Sequence, residues 1–330
     1  MSWILHQHLG LYKNVQCMAE LLLDTHQGNF NVVFYKERRD SIMATKLWSI
    51  DDEKLFFTEA LENFLTEQQL FYSLQGEYYA YVPKSMPAQN QTLQSRNGFI
   101  GKYTEKWCQK LLSPVARKLG LYAVNEVVCE ELALPNNSAA DLAFCTTDSK
   151  LQQAQNIKLI FEVKMSIVNN YRYSSDSGIS FIGNYKSHRG KPALLRSDSM
   201  LKAIGKSLNI RVSSKIGNGI PIVILGNSPI THSYKAKVDL LKESGVIQGF
   251  WSLYPDPCDD ERVICTEKRG FQTLSSEKDL YKLCQDMINN DLRYFSSMLP
   301  KAKIGEIIQI ASKEPTNELK ADKFLQLISE

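Results

Sequence analysis

Three charged side chains near the middle of the chain could together bind a metal ion. Glu162 and Lys164 stand near the end of a segment that is otherwise almost wholly apolar, residues 157–165, and Asp141 begins the short apolar segment before it. Side chains alternate between the two faces of a strand, so Glu162 and Lys164 are predicted to share a face. A hairpin connection would bring Asp141 beside them. Two adjacent carboxylates repel each other unless a cation lies between them.

This combination of residue types suits a hard divalent cation. Magnesium takes one or two protein carboxylates together with water and phosphate oxygens. Such an ion would neutralise a phosphodiester, stabilise the charge of a displacement transition state and lower the pKa of a water molecule. Lys164 could orient or help to deprotonate that water, and it would add positive charge beside the phosphate. The residues therefore predict a site for a hard divalent cation such as magnesium, which could act on a phosphodiester.

The segments around these residues predict alternating helices and strands. A periodic apolar pattern in residues 103–119 predicts a helix that ends at Gly120 and that Pro114 would kink or divide. Three β-prone segments, a helix and a buried strand follow, at residues 127–129, 141–146, 157–165, 199–210 and 220–225. We therefore predict an α/β fold with a mixed central sheet flanked by helices.

The same residues carry a resemblance to a known family. Asp141, a gap of twenty residues and then Glu162-Val163-Lys164 resemble the signature of the PD-(D/E)XK nuclease superfamily. The order of elements in residues 103–225 is similar to the restriction-endonuclease-like αβββαβ core of that superfamily. Ala140 stands where the signature has a proline, and that proline is frequently missing in the family. Both ends of the chain lie outside the resemblance.

The resemblance implies a role for each of five residues. Asp141 and Glu162 would be metal ligands, the backbone carbonyl of Val163 would complete the metal shell, and Lys164 would be the catalytic lysine. Glu105, on the helix before the sheet, would be a further catalytic acid. Taken without the resemblance, Glu162 and Lys164 could be an exposed cross-strand ion pair, Asp141 a turn residue and Glu105 a solvated helix residue.

The resemblance also implies an activity and partners. It indicates a type II restriction endonuclease that uses Mg²⁺ to cut double-stranded DNA at a specific short sequence, leaving 5′-phosphate and 3′-hydroxyl ends. A palindromic site needs two active sites related by a two-fold axis, so a homodimer is expected, with a cognate DNA methyltransferase as genetic partner. Two alternatives stay open: a structure-specific repair or recombination nuclease of the same superfamily, and a non-catalytic DNA-binding module.

A basic segment that follows Lys164 is a candidate DNA-binding surface. Aromatic and basic side chains are interleaved in it, and such a loop could reach phosphates or base edges in a groove. The alternative is an ordinary solvated loop. A second basic stretch lies on and after the next predicted helix, in residues 202–215. The candidate DNA-binding residues are Arg172, Lys186, His188, Arg189, Lys191 and Arg196.

Composition and segment boundaries complete the prediction. We predict a mainly helical N-terminal subdomain in residues 1–95, with a linker at 83–95, and a catalytic domain with a C-terminal extension in residues 96–330. The net charge is only +3, from 39 basic and 36 acidic residues, so a DNA-binding surface requires local clustering of charge. Seven cysteines without a C-x-x-C pair indicate reduced thiols, and no signal peptide or membrane segment is evident. A cytoplasmic protein is expected.

Overall fold

A computed structural model of the chain describes residues 47–89, 92–254, 265–289 and 301–329. All of them belong to one compact unit, Ala44–Glu330, and the other unit, Met1–Met43, lies outside the described residues. The helices are α1 (Ile50–Asn63), α2 (Glu67–Leu70), α3 (Gln94–Lys118), α4 (Ser197–Ser213), α5 (Lys235–Glu243), α6 (Glu277–Asn289), α7 (Lys301–Ala311) and α8 (Asn317–Ser329). The strands are β1 (Tyr72–Leu74), β2 (Glu77–Tyr79), β3 (Tyr122–Val127), β4 (Ala140–Cys145), β5 (Ile157–Lys164), β6 (Asn170–Ser174), β7 (Gly178–Gly183), β8 (Ile222–Gly226), β9 (Gly249–Ser252) and β10 (Phe271–Thr273).

The central sheet is mixed and has six strands in the order β10-β9-β8-β5-β4-β3. Strands β3, β4 and β5 form an antiparallel meander, and β8, β9 and β10 continue the sheet in parallel from β5. β8 consists of five buried residues, as expected for a parallel strand covered on both faces. The predicted mixed sheet flanked by helices is confirmed at this level.

The two faces of the sheet pack against different helices. Phe144 and Phe161 lie in one apolar core together with buried residues of α1, α3 and α6. Ala143 and Ile160 lie in a second core with Ile210 of α4. Because side chains alternate along β5, Glu162 shares the face of Ile160 and points to the side on which α4 packs.

A second, antiparallel sheet has the strand order β1-β2-β6-β7. Its β6–β7 hairpin is inserted between β5 and α4, in the segment for which the sequence predicts a basic loop. The hairpin pairs through β6 with β2, where Tyr78 lies opposite Tyr173. Tyr171 of β6 is fully buried, which explains why this polar segment forms strands.

Residues 47–82 share the core of the rest of the unit. Phe56 and Phe57 of α1 are fully buried in the same core as Phe161. The carboxylate of Glu53 accepts hydrogen bonds from the backbone N–H groups of Val168 (2.6 Å) and Asn169 (3.1 Å), just beyond β5. The boundary predicted between residues 95 and 96 therefore falls inside one compact unit.

The described parts of the predicted linker, residues 83–89 and 92–95, are likewise integrated into the fold. The N–H of Lys84 donates to the carbonyl of Ser187 at 3.0 Å, and the N–H of Arg189 donates to the carbonyl of Val82 at 3.0 Å. Its last residues belong to α3, which begins at Gln94. Residues 83–89 of the segment therefore pair with the region between β7 and α4.

Helix α3 is longer than predicted and continues past Pro114. A proline inside a helix removes one backbone hydrogen bond, but the buried face of α3, with Cys108 and Leu112 before it and Val115 after it, holds the helix in one piece. Gly120 follows its end with φ +72°, as predicted. Within the described residues, no helix combines the length and the apolar character that a membrane span requires.

Candidate active site

The three predicted side chains meet where β4 begins and β5 ends. The antiparallel register pairs Leu142 with Phe161, so Asp141 lies next to Glu162 across the two strands. Lys164 Nζ is 2.6 Å from Glu162 Oε1 and 3.4 Å from Asp141 Oδ2. The N–H of Val163 also donates to Asp141 Oδ2, at 2.8 Å. The structure thus brings Asp141, Glu162 and Lys164 together, as the spacing predicts.

A fourth charged residue, Lys206 of α4, completes the cluster. Its Nζ is 3.1 Å from Asp141 Oδ1 and 2.7 Å from Glu162 Oε2, and it donates to the carbonyl of Ala139 at 2.8 Å. Each carboxylate therefore gives one oxygen to Lys164 and the other to Lys206. We call these four residues, Asp141, Glu162, Lys164 and Lys206, the carboxylate–lysine ring.

The sequence places Lys206 in a basic stretch but does not predict it in this site. One signal was available. Lys206 stands three residues after Ala203 and four before Ile210, both of which are buried. That spacing places Lys206 on the buried side of α4 rather than on its outer face.

The ring is partly open to solvent. The exposed fractions of the side chains are 7% for Glu162, 15% for Asp141, 19% for Lys206 and 20% for Lys164. A wholly dry ion pair would be inaccessible to substrate and would argue for a structural role. The ring is not wholly dry, because the side chains of Asp141, Lys164 and Lys206 are each partly exposed.

Electrostatics within the ring favour two charged lysines. Burial lowers the pKa of Lys164, but the negative charges of Asp141 and Glu162 raise it by more than burial lowers it. The pKa of Lys164 therefore lies above its usual value. The pKa of Lys206 is raised for the same reasons. Burial and then repulsion by Asp141 raise the pKa of Glu162, against the opposing effect of the two lysines. In this state Lys164 serves as a positive charge rather than as a proton acceptor.

Glu105 of α3 is electrostatically coupled to the ring. Burial, followed by repulsion from Asp141, raises the pKa of Glu105 to about 7, while Lys164 and Lys206 act in the opposite direction. A carboxyl group with this pKa exchanges its proton near neutral pH. Glu105 thus lies close enough to Asp141 for their charges to interact.

The donor atoms of the site fit magnesium. Two carboxylates and the backbone carbonyl of Val163 are hard oxygen ligands, of the kind and number that Mg²⁺ takes from proteins. The Val163 oxygen accepts a hydrogen bond from Lys164 Nζ at 3.0 Å, so it faces the ring. Across the described ranges, no group of three or more His, Cys, Asp and Glu side chains is arranged to hold a metal ion. A site here would therefore rely on the carbonyl and on water or substrate oxygens.

Five of the six predicted DNA-binding residues are exposed, and the three arginines among them contact neighbouring parts of the chain. Arg172 of β6 pairs with Glu77 of β2 at 3.0 Å. Arg189 donates to the carbonyl of Met86 at 2.9 Å and to that of Lys84 at 3.1 Å. Arg196 pairs with Asp198 at the start of α4, at 2.7 Å. Lys186 and Lys191 are exposed between β7 and α4.

His188 is the exception, because its ring is buried. It stacks on Tyr81 with ring centroids 4.2 Å apart, and its Nε2 lies 3.0 Å from the carbonyl oxygen of Val168. Burial lowers the pKa of His188 to about 4. The ring joins the segment before α4 to the segment after β5. This position argues against the predicted DNA contact, and His188 is not part of the function proposed below.

Arg211, in the second basic stretch, is also buried. Its guanidinium donates to the carbonyls of Val246 at 3.1 Å and Gly217 at 2.6 Å, and to Gln248 Oε1 at 2.7 Å. These bonds tie the end of α4 to the loops that precede β8 and β9, which is a structural role.

Comparison with known proteins adds no further constraint, since neither a family model, nor a curated protein, nor a solved structure matches this chain.

Proposed function

We propose that the chain is a magnesium-dependent endonuclease of the PD-(D/E)XK type that cuts double-stranded DNA at a specific short sequence. The observation that carries the proposal is the meeting of Asp141, Glu162 and Lys164 at the ends of two adjacent strands, in a cluster that is partly open to solvent. The element order α3, β3, β4, β5, α4, β8 supports it, because it matches the αβββαβ order that the resemblance implies.

In this proposal the metal ligands are Asp141, Glu162 and the carbonyl of Val163. When bound, Mg²⁺ would neutralise phosphate oxygens and lower the pKa of a water molecule. Lys164, charged because its pKa is raised, would donate hydrogen bonds to the attacking water or to the scissile phosphate. Glu105, with a pKa of about 7, would hold or release a proton beside Asp141. The products would carry 5′-phosphate and 3′-hydroxyl ends.

The DNA would be bound by exposed basic side chains on the inserted hairpin and at the start of α4. Arg196 stands ten residues before Lys206, which corresponds to about 15 Å along the helix, or about four base-pair steps of DNA. The ion pairs Arg172–Glu77 and Arg196–Asp198 are about half exposed, and each stabilises the fold by about 0–1 kcal/mol. Both arginines could therefore exchange their acidic partner for a DNA phosphate at little cost. Arg189, Lys186 and Lys191 would extend this surface.

Assembly and genetic context form part of the same proposal. A palindromic recognition sequence requires a homodimer whose two active sites are related by a two-fold axis. A restriction enzyme also requires a DNA methyltransferase that protects the host at the same sequence. Both expectations can be tested without cleavage, by the molar mass of the protein in solution and by the genes beside its own.

The test is incubation of supercoiled plasmid with the full chain and Mg²⁺, followed by sequencing of the ends. A restriction enzyme gives discrete bands, with all ends at one short sequence. Ends that follow flaps, junctions or termini instead would assign the chain to a structure-specific nuclease of the same type. Salt-dependent DNA binding without any cleavage would leave only a non-catalytic DNA-binding module, and the proposal would fail.

A further inference from the structure

Lys206 uses every hydrogen-bond donor of its ammonium group inside the free protein. A lysine has three N–H donors, and those of Lys206 are directed at Asp141 Oδ1, Glu162 Oε2 and the carbonyl of Ala139. To bind a phosphate, Lys206 must release at least one of these acceptors. Its position is fixed by its helix, because Ala203, Ser207 and Ile210 of α4 are buried around it.

The charges of the carboxylate–lysine ring cancel. Asp141 and Glu162 supply two negative charges, and Lys164 and Lys206 supply two positive charges within 3.4 Å of them. A divalent cation that approaches this ring meets no net negative charge, and the ammonium groups compete with it for the same carboxylate oxygens. A phosphodiester supplies the missing negative charge, and its oxygens can accept the hydrogen bonds that the lysines give up.

We propose that Lys206 makes binding of the divalent cation depend on bound DNA. In the free protein Lys206 contacts Asp141 Oδ1 and Glu162 Oε2. In the complex it donates hydrogen bonds to a DNA phosphate instead, and those two oxygens become available to the metal. Lys206 is thus a second cationic residue of the site, contributed by α4 rather than by β5. This inference rests on the proposed function, since it takes the same carboxylates as metal ligands.

The test measures binding of Ca²⁺, a hard cation that takes oxygen ligands, by calorimetry. The full chain is titrated alone and in the presence of excess mixed-sequence DNA duplex. The wild-type protein is expected to bind Ca²⁺ at least about tenfold more tightly with the duplex than without it. Lys206→Met removes the charge and is expected to tighten Ca²⁺ binding by the free protein by at least about tenfold, or about 1.4 kcal/mol.

Lys158→Met is the matched control. Lys158 is a lysine of β5 that donates to the carbonyl of Gln155 at 2.9 Å, and it is outside the ring. Its replacement is expected to leave the affinity for Ca²⁺ unchanged with and without duplex. Lys206→Gln provides a second uncharged variant, and near-ultraviolet circular dichroism verifies that each variant is folded.

The outcomes separate this inference from the proposed function. If Asp141→Asn abolishes Ca²⁺ binding while folded Lys206→Met and Lys206→Gln bind Ca²⁺ no more tightly than the wild type, the role of Lys206 is refuted and the nuclease site stands. If Asp141→Asn leaves Ca²⁺ binding unchanged and the wild type does not cleave DNA, the nuclease proposal itself is refuted.

Discussion

Replacement of Glu105 by glutamine is expected to stabilise the protein in a pH-dependent way. Burial and the charge of Asp141 raise the pKa of Glu105 from its ordinary value of 4.5 to about 7. At about 1.4 kcal/mol for each tenfold change in acidity, this rise corresponds to about 3.4 kcal/mol. Because the side chain is half-buried, solvent screening reduces the expected effect to about 1–2 kcal/mol.

The sign follows from the direction of the pKa change. The folded protein keeps the proton of Glu105 to a higher pH than the unfolded chain does. The stability that this proton contributes is complete below pH 4.5 and is lost as the pH rises through about 7. Glutamine does not titrate, so Glu105→Gln avoids this loss. The variant should therefore gain about 1–2 kcal/mol on the wild type between pH 4.5 and pH 8.

Urea unfolding followed by tryptophan fluorescence measures this difference, with EDTA present to remove metal ions. Trp48 and Trp251 are fully buried and should report the loss of the core. Glu126→Gln is the control. The hydrogen bond from Lys150 lowers the pKa of Glu126, so its contribution to stability changes mainly below pH 4.5, and the difference between this variant and the wild type should change little between pH 4.5 and pH 8. A stability difference between Glu105→Gln and the wild type that is the same at pH 4.5 and at pH 8 would refute the raised pKa of Glu105.

Two further predictions concern catalysis and DNA binding. Lys164→Met is expected to slow plasmid cleavage by about 10²- to 10³-fold. DNA affinity in a filter-binding assay should change little, because the proposed mechanism gives the lost ammonium group one phosphate to act on, the reacting one. An unchanged rate would contradict its catalytic role. Arg196→Gln is expected to weaken binding to DNA of any sequence. It should also reduce the magnitude of the slope of log affinity against log salt concentration by about 0.9, because one phosphate contact is lost. A slope equal to that of the wild type would show that Arg196 is not part of the proposed DNA-binding surface.

The elements that the sequence predicted well are those whose signals are local. The antiparallel pair of β4 and β5 follows from two apolar segments joined by a polar connection, residues 146–156. Alternation along β5 is then enough to place Glu162 and Lys164 on one face, next to Asp141. Helix α4 and strand β8 were also predicted to within a few residues, because each has a strong apolar pattern of its own.

The features that the sequence did not predict depend on distant partners. Strand β6 pairs with β2, where Tyr173 lies opposite Tyr78, ninety-five residues earlier. His188 is buried because it stacks on Tyr81, which also lies far away in the sequence. The early start of α3 is hidden by Gly98 and Gly101, which weaken the helical signal although Ile100 is buried. Lys206 joins the ring only through the way α4 packs on the sheet.

Metal-dependent cleavage by variants of the two carboxylates tests the account most directly. The wild type, Asp141→Asn, Glu162→Gln and the control Glu243→Gln, an exposed acid of α5 paired with Lys268, are each incubated with supercoiled plasmid, with Mg²⁺ or with EDTA. We expect the wild type and Glu243→Gln to linearise the plasmid with Mg²⁺ only, and both carboxylate variants to leave it intact while still binding DNA. Cleavage in EDTA, or equal cleavage by Asp141→Asn and the wild type, would contradict a metal site at these residues.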